Sequence, residues 1–95
     1  IFGGNFNITN STISNNSALE GGGIYLVSTM FSDNVMISNN IADYGGGIQI
    51  DYGDIISNNT TVKNNIAIKG GGINTVETSY NFSNYIKLTN LLCTL

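Results

Sequence analysis

The chain contains no proline, histidine, arginine or tryptophan, and its only cysteine is Cys93. A single cysteine excludes an internal disulfide. Three lysines against six acidic residues give a net charge of -3 and a sequence pI of about 4.2, so we expect no basic surface for nucleic acid. No apolar run approaches the roughly 18 residues of a spanning helix, so we expect no membrane-spanning segment.

The scarcity of charged residues also argues against catalysis. Without histidine or arginine, and with Lys63, Lys69 and Lys87 at different repeat positions, the usual constellation of a polysaccharide lyase or hydrolase cannot be assembled. Asp51 and Asp54 flank a glycine and could offer oxygens to calcium, but the nonapeptide of calcium-binding β-rolls is absent. We therefore predict no catalytic residue, no metal site and no cofactor.

Two short elements recur along the chain at a fixed distance. A glycine triplet followed by isoleucine begins at Gly21, Gly45 and Gly70, which are 24 and 25 residues apart. Eight residues before each triplet stands an apolar residue, one polar residue and an asparagine pair. A period of this size is typical of solenoids. Together with period-two alternation in stretches such as Ile48-Gln49-Ile50, it predicts an all-β fold, a right-handed parallel β-helix of about four coils.

Stacked coils would place equivalent residues above one another. Asparagine ladders let each amide bond to the next, glycines permit close backbone approach, and a small residue after the turn suggests a cramped interior. The predicted structural columns are Asn16, Asn40 and Asn65; Asn15, Asn39 and Asn64; Gly21, Gly45 and Gly70; and Ala18, Ala42 and Ala67.

The two ends interrupt the repeat. Residues 86–90 match residues 35–39 at an offset of 51, but no further glycine triplet follows. Neither end shows a polar or helical cap, which an open solenoid needs. We therefore expect residues 1–95 to be a single, uncapped β-helix segment, either a fragment of a longer solenoid or a unit that stacks end to end with identical chains.

The repeat resembles a known family. The stretch Ile37-Ser38-Asn39-Asn40-Ile41-Ala42-Asp43-Tyr44-Gly45-Gly46-Gly47-Ile48 is similar to the repeats of polymorphic outer-membrane proteins and of adhesin-like microbial surface proteins rich in asparagine. The resemblance covers about residues 11–90, with Ile or Val where the bacterial repeat favours Phe, and Gly where it often has Ala. It implies a right-handed parallel β-helix, extracellular or at the cell surface, with a role in adhesion or as a stalk.

Glycosylation sequons are the most specific chemical signal. Six asparagines are followed two residues later by serine or threonine: Asn7, Asn10, Asn15, Asn58, Asn59 and Asn81. The residue composition alone gives roughly 3 such motifs, so the excess is about twofold. The chain is therefore a candidate glycoprotein if it is secreted in a glycosylating host.

These observations lead to three functional hypotheses. The leading one is a non-catalytic structural or adhesive β-helix element, a stalk or filament building block. The second is a glycan- or protein-binding module of a surface adhesin, in which corner loops such as residues 27–33 make the contact. The third is a non-catalytic part of a carbohydrate-active β-helix enzyme.

Overall fold

A computed structural model describes residues 2–75, 86–89 and 92–93, with side chains described for residues 5–75. These residues form strands and turns and contain no helix. In chain order the strands are β1 (Phe2–Ser14), β2 (Ile24–Ser38), β3 (Ile48–Tyr52), β4 (Ile55–Lys63), β5 (Ile73–Thr75), β6 (Ile86–Thr89) and β7 (Leu92–Cys93). No helix able to cross a membrane occurs in this part of the chain.

Every pairing between these strands is parallel. The strand order is β5-β3-β2-β4-β6, while β1 pairs with β2 and β7 pairs with β4. The long strand β2 organises this arrangement, because its first half pairs with β3 and its second half with β4. The predicted all-β class with a parallel sheet is confirmed.

The strand register follows the sequence period. Ile24 pairs with Ile48, which pairs with Ile73, at steps of 24 and 25 residues. The isolated bridges keep the same steps, for example from Ser17 to Ile41 and from Ile41 to Ile66. Equivalent residues of successive repeats therefore lie beside one another.

Alternate side chains along the strands form the core. In β2, Ile24 and Leu26 are buried, as are Met30 and Ser32 further along. The buried apolar cluster comprises Ile24, Leu26, Met30, Val35, Ile37, Ile48, Ile50, Ile55 and Val62. Full burial of one such aliphatic side chain contributes about 1.5–3 kcal/mol, so the inward stripe is the main source of stability.

The alternation is interrupted at one asparagine in each long strand. Asn10, Asn34 and Asn59 have φ of 48°, 56° and 48°, in the left-handed region that asparagine tolerates better than most residues. In β2 this residue separates the buried pair Met30 and Ser32 from the next buried residues, Val35 and Ile37. The bend therefore occurs within a continuous strand.

This bend changes the predicted corners. Residues 27–33, proposed from sequence as a corner loop, lie inside β2, so that prediction is wrong. The connection between β3 and β4 is only Gly53 and Asp54, because β3 continues to Tyr52. The physical reason is that a positive-φ asparagine turns the chain without ending the hydrogen-bonded ladder.

The alignment of the last repeat is also different. The sequence match at an offset of 51 makes Ile86 equivalent to Val35, which pairs with Thr60 in β4, so Ile86 would also be expected to pair with Thr60. In the structure, Ile86 in β6 instead pairs with Ile55. The difference is five residues, an odd number. Both Ile55 and Thr60 are nevertheless buried, because the bend at Asn59 lies between them. An apolar pattern alone therefore cannot distinguish the two registers.

The glycine triplets occupy places where adjacent repeats approach too closely for a side chain. The Gly22 N–H donates to Gly45 O and the Gly46 N–H donates to Gly70 O, both at 3.1 Å. A Cβ on Gly46 would lie 2.6 Å from both Gly71 O and Ile66 O. Backbone atoms held in a ladder cannot move aside easily, so this position requires glycine.

Gly46→Ala is expected to destabilise the fold by about 3 kcal/mol, since the new methyl group displaces two backbone carbonyls. Gly71→Ala is the matched control at the same position of the next repeat, where the nearest atom is Asn65 O at 2.9 Å and the second lies at 3.8 Å. Its expected cost is about 1 kcal/mol. Urea unfolding of both variants measures the difference, and equal losses would contradict the close-approach explanation.

Candidate functional site

Asn16, Asn40 and Asn65 form a ladder, here called the inner ladder, in which Asn40 and Asn65 are buried and Asn16 is exposed. Asn40 is fully buried, and its Oδ1 accepts hydrogen bonds at 3.1 Å from both the backbone N–H and the Nδ2 of Asn16. Its Nδ2 donates to Asn65 Oδ1 at 3.0 Å and to Ile13 O at 3.2 Å. Asn65 makes the equivalent backbone contact in the next repeat, where its Nδ2 donates to Ile37 O at 3.0 Å. Each amide therefore ties its own turn to the strands of neighbouring repeats.

The preceding asparagine of each pair has a different role. Asn15, Asn39 and Asn64 have φ of 60°, 56° and 56°, and all three are exposed. What they share is left-handed backbone, which turns the chain at the end of each long strand. The first glycine of each triplet has a similar geometry: the φ values of Gly21, Gly45 and Gly70 are 65°, 62° and 65°.

The alanine column is less uniform than its spacing suggested. Ala42 is buried and Ala67 is half-buried, but Ala18 is exposed. A cramped interior therefore accounts for the alanine in the second repeat and does not account for Ala18.

A second amide ladder runs along the exposed side of the bend. Asn34 Nδ2 donates to Asn10 Oδ1 at 2.9 Å, and Asn59 Nδ2 donates to Asn34 Oδ1 at 3.3 Å. Sequence reasoning missed this ladder, although its spacing of 24 and 25 residues is the same as that of the glycine triplets. The sequence marks Asn10 and Asn59 only as sequons, and Asn34 lacks the sequon.

The structure places the sequon asparagines in different environments. Asn10 and Asn59 belong to the exposed ladder, Asn15 lies at a left-handed turn, and Asn7 is exposed on β1. Asn58 donates to Asp33 Oδ1 at 3.0 Å. Asn81 lies outside the described residues. Asn7 and Asn15 thus present exposed side chains outside both ladders, and glycosylation at any sequon stays a prediction.

The outer surface of β1, β2 and β4 carries a groove of about 580 Å³. It is lined by Asn7, Thr9, Phe31, Ser32, Asp33, Ile56, Ser57 and Asn58. Strand pairing arranges the outward residues in two columns, Asn7 with Phe31 and Ile56, and Thr9 with Asp33 and Asn58. The groove thus joins an apolar strip, centred on the 38% exposed Phe31, to a strip of hydroxyl, carboxylate and amide groups.

A buried hydroxyl cluster supports the groove from beneath. Ser32 Oγ donates to Ser57 Oγ at 3.0 Å and lies 2.9 Å from Thr60 Oγ1. All three residues are buried. Because these hydroxyls satisfy one another, the floor can be polar without a large desolvation cost, and the outward side chains of the same strands are held in a fixed arrangement.

A polar chain crosses β2, β3 and β5 near the beginning of those strands. Asn74 Nδ2 donates to Gln49 Oε1 at 2.8 Å, Gln49 Nε2 donates to Asp51 Oδ1 at 3.0 Å, and the Tyr25 hydroxyl donates to Asp51 Oδ2. The hydrogen bond to Asp51, with partial burial and the negative charges of Asp51 and Glu20, raises the pKa of Tyr25 to about 12. This network stabilises a protonated tyrosine, which suits a structural role.

Within the described residues, no group of three or more histidine, cysteine, aspartate or glutamate side chains is close enough to hold a metal ion.

Comparison with known proteins gives one match. Residues 10–26 match the model of the Chlamydia polymorphic membrane protein (Chlamydia_PMP) repeat. The matched segment includes the Asn15-Asn16 pair, the first glycine triplet and Ile24. No curated protein matches the chain, and no solved structure does. The match supports the resemblance at the level of this repeat, and it indicates a surface protein with a β-rich structure.

Replacement of Asn40 by alanine is expected to cost about 3 kcal/mol, because it leaves buried donors and acceptors without partners. Asn34→Gly is the control: it removes an amide from the exposed ladder while retaining a residue suited to positive φ. Its expected cost is below about 1 kcal/mol. Thermal and urea unfolding measure the stability of the two variants. A similar loss of stability in both would show that the contribution of the inner ladder to stability does not depend on its burial.

Tyr25 is expected to ionise about two pH units above its ordinary value of 10.0. The folded state holds the proton more tightly than the unfolded chain, so this contribution to stability is complete below pH 10 and is lost as the pH rises from about 10 to about 12. Ultraviolet titration of the wild-type chain should show a late tyrosine ionisation at about pH 12. Tyr25→Phe should remove that late step, and Asp51→Asn should move it to lower pH.

Proposed function

We propose that this chain is a segment of a right-handed parallel β-helix that serves as a structural or adhesive element outside the cell. The observation that carries the proposal is the repeated in-register pairing, in which Ile24, Ile48 and Ile73 meet at steps of 24 and 25 residues. The match to a repeat of polymorphic membrane proteins supports the surface location.

The strand connections favour a helical winding of the chain. The first half of β2 pairs with β3 and its second half pairs with β4, both of which belong to the following repeat. The chain thus passes along the same path in each repeat, displaced by one strand. Crossovers between parallel strands are right-handed in nearly all proteins, which gives the proposed handedness. Stacking of this kind produces a stiff rod whose contacts are all with adjacent repeats.

A stalk role fits the distribution of polar groups. The inner asparagines bind neighbouring repeats, and the positive-φ asparagines and glycines make each turn tight. A chain with short, hydrogen-bonded turns offers few flexible sites to proteases. The proposed role is non-catalytic, and its support is the absence of histidine and arginine from the sequence.

A second candidate function is carbohydrate binding in the groove. Phe31 and Ile56 offer an apolar surface, while Asn7, Asp33 and Asn58 offer hydrogen-bonding groups beside it. Sugars have both apolar ring faces and hydroxyl edges, so one such ligand can use both strips. Among the described residues that line the groove, Asp33 is the charged one, which favours a neutral or amino sugar over an acidic one.

The stalk proposal predicts resistance to trypsin at Lys63, which is in β4, and at Lys69, which bridges to Tyr44. We expect cleavage after these residues to be at least about a hundredfold slower than in the urea-unfolded chain, because it requires opening of the stack. Asn40→Ala should accelerate both cleavages. Rapid native cleavage at both lysines, identified by mass spectrometry, would overturn the stalk role.

The groove is tested with an array of neutral, amino and acidic glycans. Phe31→Ala is expected to weaken binding of a neutral or amino glycan about tenfold, since it removes the central apolar contact. Tyr52→Ala is the matched control, because Tyr52 is 39% exposed but does not line the groove. No binding to any glycan, or equal loss in the two variants, would exclude the groove while leaving the stalk role intact.

A further inference from the structure

Most of the exposed large apolar side chains within residues 5–75 lie on one surface. This surface, here called the ridge, consists of the short turns at residues 17–20, 41–44 and 66–69. Of the seven exposed large hydrophobic residues within residues 5–75, five belong to it: Leu19, Ile41, Tyr44, Ile66 and Ile68. Ile66 and Ile68 are 63% and 79% exposed. Such a concentration of apolar surface is typical of a contact site.

The ridge has a defined order because backbone bridges align its turns. Ser17, Ile41 and Ile66 form one column, and Glu20, Tyr44 and Lys69 form another. Neighbouring parallel strands are about 4.8 Å apart, so Glu20 and Lys69 are separated by roughly twice that distance along the stack, with Tyr44 between them. Along the second column, a negative side chain (Glu20) is therefore followed by an aromatic one (Tyr44) and a positive one (Lys69).

This order is complementary to itself when reversed. We propose that the ridge binds the ridge of a second copy of this chain, side by side and antiparallel, about a two-fold axis at the level of Tyr44. Glu20 of each copy then lies opposite Lys69 of the other, and the two Tyr44 rings meet at the axis. A parallel arrangement would place Glu20 against Glu20 and Lys69 against Lys69, which like-charge repulsion opposes.

The apolar column agrees with the same arrangement. Reversal about the level of Tyr44 places Ile41 against Ile41 and Ile66 against Ser17, so two isoleucines of each copy lose contact with water. This association is lateral, between the sides of two stacks, and it is distinct from end-to-end stacking. It requires the folded repeats and does not require glycan binding in the groove.

Asp43 limits the strength of the contact. It is exposed in the middle turn, so the two-fold axis places it opposite its own copy. Charge pairs at a solvated surface contribute little each, and one repulsive pair opposes two attractive ones. We therefore expect a weak dimer that forms at protein concentrations on the order of 0.1–1 mM, and one that high salt weakens.

Sedimentation equilibrium of the purified chain tests the proposal directly. The wild-type chain should dimerise below about 1 mM. Glu20→Lys and Lys69→Glu should each weaken the dimer about tenfold, since each converts both attractive pairs into repulsive ones. Lys63→Glu, a charge reversal of the same type in β4 and outside the ridge, should have little effect.

Mixing supplies the decisive measurement. A one-to-one mixture of the Glu20→Lys and Lys69→Glu chains should form a heterodimer at least as tight as the wild-type dimer, because both contacts are again between opposite charges. The variant that carries both exchanges should recover its homodimer. Asp43→Asn should strengthen the wild-type dimer, since it removes the repulsive pair.

Three results would overturn the proposal. They are a monomer at every concentration up to about 1 mM, a dimer that the charge reversals leave unchanged, and a mixture that stays monomeric although both variants are folded by circular dichroism. A dimer formed through the ends of the stack would also be unchanged by the charge reversals, so it would count as the second of these results. Loss of trypsin resistance with an intact dimer would instead count against the stalk role alone.

Discussion

The buried asparagine amides of this structure find their side-chain partners in adjacent repeats. Asn40 has no exposed surface and is bonded to Asn16 on one side and to Asn65 on the other. A shift of one residue in any strand would leave such an amide unpaired in the interior and turn the apolar side chains outward. The repeat length of 24–25 residues is therefore constrained by hydrogen bonding as well as by packing.

The choice of asparagine also explains how a chain with 9% charged residues holds its polar turns together. An amide can donate and accept at the same time, so a column of identical side chains satisfies itself. A column of carboxylates or ammonium groups would repel along the stack, and burying charges would carry a large desolvation cost. Neutral amides avoid both problems, and their backbone tolerates the left-handed turns at Asn39 and Asn64.

The parts of the fold that the sequence revealed are those in which one residue type recurs at the period. The glycine triplets and the pair ending in Asn16, Asn40 and Asn65 led to the parallel all-β class and to the inner ladder, because identical residues must meet when repeats are stacked. The bend inside β2 was not found, since alternation of apolar residues resumes on either side of Asn34 and looks like two strands. The register of Ile86 was missed for the related reason that two positions, Ile55 and Thr60, are both buried.

The groove and the ridge depended on information that periodicity does not contain. Phe31 and Asp33 differ from their counterparts in adjacent repeats, and only strand pairing shows which residues stand beside them. The exposed turns vary for the same reason: once Asn40 and the glycines are fixed, the exposed residues between them are free of the packing that defines the core. Specific chemistry is thus expected where the repeats differ, and stability where they agree.

The aligned turns have one more consequence, which concerns how such a chain changes over generations. The hydrogen bonds of the inner ladder join a repeat to its immediate neighbours. Duplication or deletion of one whole repeat in the gene would therefore leave equivalent hydrogen bonds between the two repeats that become adjacent. An insertion of a few residues within a strand would not. Length can therefore vary in whole-unit steps while the surface residues diversify separately, a property that suits a molecule exposed to a changing environment.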